Sequence, residues 1–320
     1  MAANKDFLYV MYMGGPDSLQ AIEPFLYNLF TDRDIIDFGI GNFPQKIVAR
    51  IISKVRSKKV APQYERLGGG SPQLPILKSL LGKVSDIYFK KYGTELETAI
   101  GMCYYHPYIK DTVKFLQNGN YQNIFVMTMY PQYSYTTSGA CFSRFFNEIK
   151  SNPPKGSFKV IPYWYGNESY NSAITNRIID AARKLNTDIS ECHILFSAHS
   201  LPYYTLEKGD LYTIHLKEQV NLIVDRIKPK SFSISFQSKT GRMRWLEPST
   251  KDEIDRLIKD NYRNVIVCPI SFVSDHIETV IEIDEEYIDY ARKYGLNIVR
   301  SDSLNDSDDF ATSIIDIMVN

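Results

Sequence analysis

The stretch ILFSAHSLP, residues 194–202, is an apolar run that ends in a histidine. Side chains alternate along a strand, so Ser197 and His199 share one face, and Ser197 can fix the imidazole by a hydrogen bond. Either this is a solvated strand end, or the strand delivers a titratable group to a site. A serine-hydrolase triad is excluded, because no G-x-S-x-G elbow is present. The segment SDHIETVIEIDEEY, residues 274–287, is the second candidate. Glu278, Glu282 and Glu286 recur every four residues, so a helix would stack them as like charges, each pair destabilising by roughly a few tenths of a kcal/mol. Asp284 and Glu285 add to that burden. A solvated acidic face is one reading. The other rests on Asp275, His276 and Glu278 standing together at a strand end. Carboxylates beside imidazole suit divalent Fe, Mn, Co or Zn, and an acidic line leading away can pass cations or protons.

The remaining chemistry-bearing residues are quieter. His106, His193 and His215 have no companion at metal-ligand spacing and read as structural. LGGGSP (67–72) is rich enough in glycine to cradle an anion, but it lacks the Lys-Ser/Thr of a phosphate loop and reads as a tight turn. MGGP (13–16) is no G-x-G-x-x-G, which speaks against a nicotinamide cofactor. The four cysteines are far apart with no C-x-x-C, so buried thiols in a reducing compartment are expected rather than a zinc or iron–sulfur site.

Eight short apolar runs must position these groups: 7–13, 96–104, 123–130, 158–164, 193–198, 232–237, 265–270 and 297–301. Near-continuous apolar character marks strands covered on both faces, and strands alternating with helical patterns imply βαβ units. The fold class is therefore α/β with parallel sheets. SNPPKG (151–156) reads as the linker, giving a first domain over 1–155 and a second over 156–304. The acidic-started segment 305–320 reads as a helix crossing back onto the first domain. Parallel sheets bind ligands beyond the carboxyl ends of their strands. Here those ends carry Met13 together with aromatic and titratable residues, among them Tyr104, Tyr133, Trp164, His199 and Asp275.

The bulk numbers narrow the partners. Lys and Arg together balance Asp and Glu at 37 each, so no basic excess points to nucleic acid. With 23 Tyr and 17 Phe, the rings serve either core packing or a pocket for a flat apolar ligand. No run approaches the roughly 20 apolar residues of a membrane span. The opening residues leave no room for a signal peptide, and a cytoplasmic protein is expected.

In order along the chain, MGGP, FLYNLF, QYERLGGGSP, YYHP, YPQYS, LFSAHSLP, QSKTG and PISFVSDHIETVIEIDEEY together resemble the ferrochelatases, enzymes that insert ferrous iron into a porphyrin. The resemblance implies two Rossmann-like domains of the chelatase type with a porphyrin cleft between them. It makes His199 similar to the family's catalytic histidine and Glu278 to the carboxylate facing it across the macrocycle, both of them at the metal. Glu282 and Glu286 correspond to an acidic proton or metal path, on a helix that the family winds as a π-helix, with Asp275 and His276 completing that block. Met13, Tyr64, Ser71, Tyr104, Tyr133 and Trp164 fall where the family lines its porphyrin pocket or metal route. The chemistry requires stripping water from the ion, bending the ring and removing two N–H protons. A neutral imidazole accepts protons near pH 7, which makes His199 the expected base.

Three departures accompany the resemblance. Arg242, Arg244 and Glu247 stand in a block that usually carries prolines and a glycine. Cys103 stands where relatives often have a basic residue, a departure that bears on either the metal route or a propionate contact. The chain ends at Asn320 without the cysteine-bearing tail of animal relatives, so no [2Fe–2S] cluster is expected and no cofactor beyond substrate Fe²⁺. Met13 resembles protoporphyrin-using members rather than coproporphyrin-using ones, which implies protoporphyrin IX over coproporphyrin III. Ile35, Ile36, Phe38, Ile40 and Phe43, followed by the basic run 54–59, form either a greasy lip for peripheral membrane contact or ordinary packing within the first domain. A sibling chelatase loading cobalt or nickel, and a non-catalytic haem carrier, are the competing readings.

Overall fold

The computed structural model describes residues 5–33, 35, 36, 38–239 and 243–320. All eight apolar runs form strands: β1 (Lys5–Tyr12), β2 (Glu95–Met102), β3 (Asn120–Thr128), β4 (Lys155–Ile161), β5 (Cys192–His199), β6 (Ser231–Gln237), β7 (Asn264–Cys268) and β8 (Asn297–Arg300). They build two parallel four-stranded sheets ordered β2-β1-β3-β4 and β6-β5-β7-β8, with helices in the connections. The central strands β1 and β5 are buried along nearly their whole length, as strands covered on both faces must be.

The chain divides into two compact units, Met1–Trp164 with Ile314–Asn320, and Tyr165–Ser313. The stretch 151–156 is therefore not the linker. It runs into β4, which pairs with β3 from Asn120↔Lys155 to Met127↔Ile161, and the boundary falls after Trp164. Polar residues and prolines are tolerated at the entrance to an exposed edge strand as well as in a linker, so composition does not separate the two. The C-terminal helix, Asp308–Val319, forms as expected but is shared out. Asp309 pairs with Arg177 at 2.9 Å within the second unit, while Asp316 lies 3.7 Å from Lys91 within the first.

In the first unit, Phe7, Tyr9 and Met11 of β1 pack with Ile124 and Val126 of β3 against Val113, Leu116, Phe142 and Phe145 of the covering helices. In the second unit, Leu195, Val265, Val267 and Ile298 pack against Ile254, Leu257, Ile283 and Ile288. The last two belong to the acidic segment, so its apolar face is buried on the sheet and its carboxylates are turned elsewhere. Both strand orders reverse direction beside the first strand of the sheet, between β1 and β3 and between β5 and β7. Ligands in open α/β sheets bind beyond the strand ends at that reversal. His199 is the last residue of β5, and the chain leaving β7 leads to Glu278.

Candidate active site

His199 is held by its backbone and by one ring nitrogen. Its amide donates to Ser271 Oγ at 2.8 Å, and the Tyr212 hydroxyl donates to its carbonyl at 3.0 Å. Its Nδ1 lies 2.6 Å from the Ser200 carbonyl oxygen. A carbonyl only accepts, so Nδ1 carries a proton, and in the neutral form of the ring the lone pair is on Nε2. That Nε2 faces Glu278 Oε2 at 3.6 Å. Ser197 does not fix the ring. Fully buried, its hydroxyl donates to Gln237 Oε1 at 2.6 Å and meets Thr250 Oγ1 at 2.8 Å, leaving the next residue's carbonyl to orient His199.

The acidic segment is a π-helix, Glu278–Ile288, over which Thr279, Ile281, Ile283 and Ile288 are buried. Glu278 and Glu282 meet on Ser238, which follows β6. The Ser238 hydroxyl is 2.9 Å from Glu278 Oε2 and 2.6 Å from Glu282 Oε2, and its amide donates to Glu282 Oε1 at 2.9 Å. Tyr287 donates to the same Oε1 at 2.6 Å. One hydroxyl proton cannot serve two carboxylates, so the cluster is satisfied when one carboxyl holds a proton. Burial and the adjacent Glu278 charge push the Glu282 carboxyl up from its ordinary value, which makes Glu282 the more readily protonated of the two. Gln237 supports the arrangement by donating to the Glu278 carbonyl at 3.0 Å. Ser238 holds this contact with a φ of 66°, a left-handed conformation uncommon for serine.

The other predicted residues of this block separate. His276 is buried with Nδ1 3.1 Å from the Ser274 carbonyl, and burial pulls its pKa down. Its ring packs on Phe272, centroids 4.6 Å apart, and Phe272 in turn contacts His199 at 6.2 Å. Asp275 is occupied by Arg300, Ser303, Asn305 and Thr279; the guanidinium is the main influence that keeps its carboxyl low against the opposing effect of burial. Glu286 is exposed and stands outside the Ser238 cluster. Among the described residues, no group of three or more His, Cys, Asp or Glu side chains is arranged to cage a metal.

In the first unit, Met13, Tyr104 and Tyr133 follow β1, β2 and β3, Trp164 follows β4, and Tyr64 and Ser71 flank the end of the helix Asn42–Arg66. Tyr104 donates its amide to the Met13 carbonyl at 3.1 Å, which sets these two side by side. The Tyr104 hydroxyl bonds Asp32, and Arg144 both pairs with Asp32 at 2.6 Å and lies over the Tyr104 ring. Ser71 donates its amide to the Pro16 carbonyl at 2.7 Å. The glycines around it serve that approach: a Cβ on Gly70 would stand 2.6 Å from the Asp17 backbone, and one on Gly15 would stand 2.7 Å from Ser71 Cβ. LGGGSP is thus a packing device against MGGP, and Tyr64 closes it by accepting the Gly69 amide at 2.9 Å. Trp164 is buried, its amide bonded to the Pro131 carbonyl and its indole N–H to the Thr128 carbonyl, both at 2.9 Å; Tyr133, half-buried, lies in the same turn as Pro131.

Of the departures, Arg242 lies outside the described residues. Arg244 stacks on the Tyr203 ring at 3.6 Å, and Glu247 is exposed. Cys103 is buried with Sγ 3.2 Å from Cys141 Sγ; all four cysteines are free and buried, as expected. The sequence reading missed Ser238, Gln237, Ser271 and Arg300. The block QSK at the end of β6 was the available signal, since polar residues directly after a buried strand have a reason to be there.

The family model for Ferrochelatase matches residues 6–320. The chain is similar to a ferrochelatase of Aquifex aeolicus, 36% identical over 318 residues and covering 99% of both chains. A ferrochelatase of Citrifermentans bemidjiense is 35% identical over 317 residues, which cover 99% of this chain and 98% of that protein. Among solved structures, SirB from Bacillus subtilis with Fe³⁺ superposes with a TM-score of 0.56 at 11% identity, covering 99% of this chain and 96% of SirB. At that identity the likeness speaks for the fold alone. With its full-length match and its relatives above 30% identity, the chain belongs to the ferrochelatase family.

Proposed function

We propose that this member of a metal-inserting enzyme family loads Fe²⁺ into protoporphyrin IX, with His199 as the base that takes the pyrrole protons. The observation that carries the reading is the His199–Glu278 pair: an imidazole tethered through Nδ1 so that its Nε2 faces a carboxylate oxygen at 3.6 Å. Two protein donors with open positions suit a metal that must leave for four ring nitrogens, whereas a closed cage would retain it. Glu278, Ser238 and Glu282 form a hydrogen-bonded chain along which protons leave the imidazole or the ion approaches it. Glu286 continues that path to the surface, and His276, with its lowered pKa, stays neutral behind Phe272.

Met13, Tyr64, Ser71, Tyr104, Tyr133 and Trp164 are the proposed porphyrin-lining residues, and rigid aromatic walls suit a flat macrocycle that must be held bent. Met13 supports protoporphyrin over coproporphyrin. Arg144, fixed against Tyr104, supplies a cation for a propionate next to Cys103, the position where relatives often carry a basic residue.

Protoporphyrin is poorly soluble, and the helix Asn42–Arg66 favours peripheral membrane docking. Its inward row, Gln45, Ala49 and Ser53, is buried, while Phe43, Ile47, Ile51 and Val55 are 75%, 51%, 61% and 65% exposed. Beside them Lys46, Arg50, Lys54 and Lys58 form a parallel exposed basic row. Apolar residues flanked by cations suit an anionic lipid surface. Ile35 instead packs on the core, so the proposed lip begins at Ile40 and runs along the helix.

The test is anaerobic incubation of the purified protein with Fe²⁺ and either protoporphyrin or coproporphyrin, following the free-base absorption bands. Loss of those bands with protoporphyrin, faster than with coproporphyrin, is the expected result. Persistence of both spectra would overturn the enzyme reading and favour a haem carrier.

A further inference from the structure

Arg300 closes β8, its side chain only 12% exposed, and it holds two carboxylates at once. Its NH1 donates to Asp275 Oδ1 at 3.0 Å and to Ser303 Oγ at 3.1 Å. Its Nε and NH2 form a two-pronged contact to Asp284 Oδ1 and Oδ2, both at 2.9 Å. Asp275 precedes the π-helix and Asp284 lies in its second half. The carboxylate of Asp275 is further clamped by Ser303 at 2.8 Å, Asn305 at 2.8 Å and Thr279 at 3.2 Å. Planar two-pronged Arg–carboxylate contacts fix geometry as well as adding energy, which a single ammonium cannot do.

A π-helix is ordinarily a single-turn bulge in an α-helix, and the 11 residues Glu278–Ile288 exceed that, so their register needs external ties. Rewound as an α-helix, the segment would rise about 1.5 Å per residue with tighter turns, carrying Asp284 away from Asp275 and rotating it about the axis. One guanidinium could not then reach both. The same rewinding would shift Glu282 relative to Glu278 and change the geometry in which both now meet Ser238.

We propose that Arg300 is a positioning residue that locks the acidic segment in its π register and so keeps Glu278 and Glu282 on Ser238. The inference rests on the proposed metal-inserting role of that cluster. It adds that the cluster's geometry is set from the opposite side of the helix, by a residue that touches neither porphyrin nor metal.

The experiment compares wild type with Arg300→Lys and Asp284→Asn, each checked for native circular dichroism. Read-outs are Fe²⁺ insertion, protoporphyrin affinity by fluorescence quenching, and amide hydrogen exchange over residues 278–288. The expected result is a fall in kcat of about 10- to 100-fold, as displacements on the order of 1 Å produce. Porphyrin affinity should stay within about 2-fold, and exchange should accelerate over 278–288 but not in β5. Arg300→Lys is not expected to rescue, because one ammonium cannot span both carboxylates. Should Arg300→Lys fail to fold, Asp284→Asn, which removes one prong while keeping side-chain size, decides the matter. Folded variants with wild-type kcat and unchanged exchange would overturn the proposal. Inactive wild type would instead overturn the function on which it rests, while the exchange measurement would still report on the register.

Discussion

His199 Nε2 and Glu278 Oε2 face each other at 3.6 Å, although their residues come from different strand ends of one sheet. The imidazole is anchored through Nδ1 and its backbone, whereas the carboxylate hangs from a helix of unusual register. The two are therefore fixed independently, and removing one leaves the other in place.

That independence makes His199→Ala a clean test. The Ser271 contact uses the residue's backbone amide and the Tyr212 contact its carbonyl, so truncation leaves both intact. Fe²⁺ insertion should fall by at least about 10²-fold, the low end for loss of a general base, while protoporphyrin still quenches the protein's fluorescence. Near-normal turnover would remove His199 from the role of base.

Glu282 offers a test whose sign is set by its environment. Burial and the Glu278 charge raise its pKa in the fold, so its neutral form is the one the fold favours. Its stabilising share is present below the ordinary carboxylate pKa and is lost as pH rises through the raised value. Glu282→Gln mimics the protonated acid: the amide nitrogen donates to Ser238 Oγ, and its oxygen still accepts from the Ser238 amide and Tyr287. Thermal denaturation at pH 7 should show the variant more stable, with a raised midpoint, yet slower in metal insertion. Lower stability at pH 7 would contradict an upward shift at Glu282.

The sheets and the two central site residues were legible because each is written locally. Continuous apolar runs of strand length and an abrupt His199 at the end of one of them need no distant partner to be read. The 151–156 stretch misled because an exposed edge strand tolerates the same polar residues as a linker. Ser197 misled because a shared strand face gives proximity without saying which partner competes, and Gln237 from the neighbouring strand takes the bond. Arg300 was invisible for the same reason. Its partners lie 25 and 16 residues away, and no periodicity relates them.

His193 predicts acid sensitivity of the second unit. The ring is 1% exposed, bonded to Ser231 Oγ at 2.8 Å and Ser233 Oγ at 2.9 Å, and burial pulls its pKa down to about 4. A depressed histidine contributes stability above its ordinary pKa of 6.5 that is lost as pH falls toward 4. Its share should weaken the protein by about 2 kcal/mol between pH 7 and pH 5. Urea midpoints at the two pH values should therefore differ less in His193→Gln than in wild type. An identical difference in both would show that His193 does not carry the effect.

The exposed row on the helix Asn42–Arg66 makes the last prediction, and its two halves can be separated. Burying Phe43, Ile47, Ile51 and Val55 in a bilayer surface draws on apolar area, which salt leaves largely intact. The neighbouring Lys46, Arg50, Lys54 and Lys58 act through charge, which salt screens over about 8 Å at physiological ionic strength. Wild type should co-sediment with vesicles containing phosphatidylserine, less with neutral phosphatidylcholine vesicles, and less again as salt rises. Ile47→Asp with Ile51→Asp should abolish sedimentation on both vesicle types. Lys54→Glu with Lys58→Glu should remove only the preference for the anionic lipid. All four positions lie on the outward side of the helix, away from buried Gln45, Ala49 and Ser53, so soluble metal insertion should survive both changes. Undiminished sedimentation of the aspartate variant would assign membrane contact to another surface.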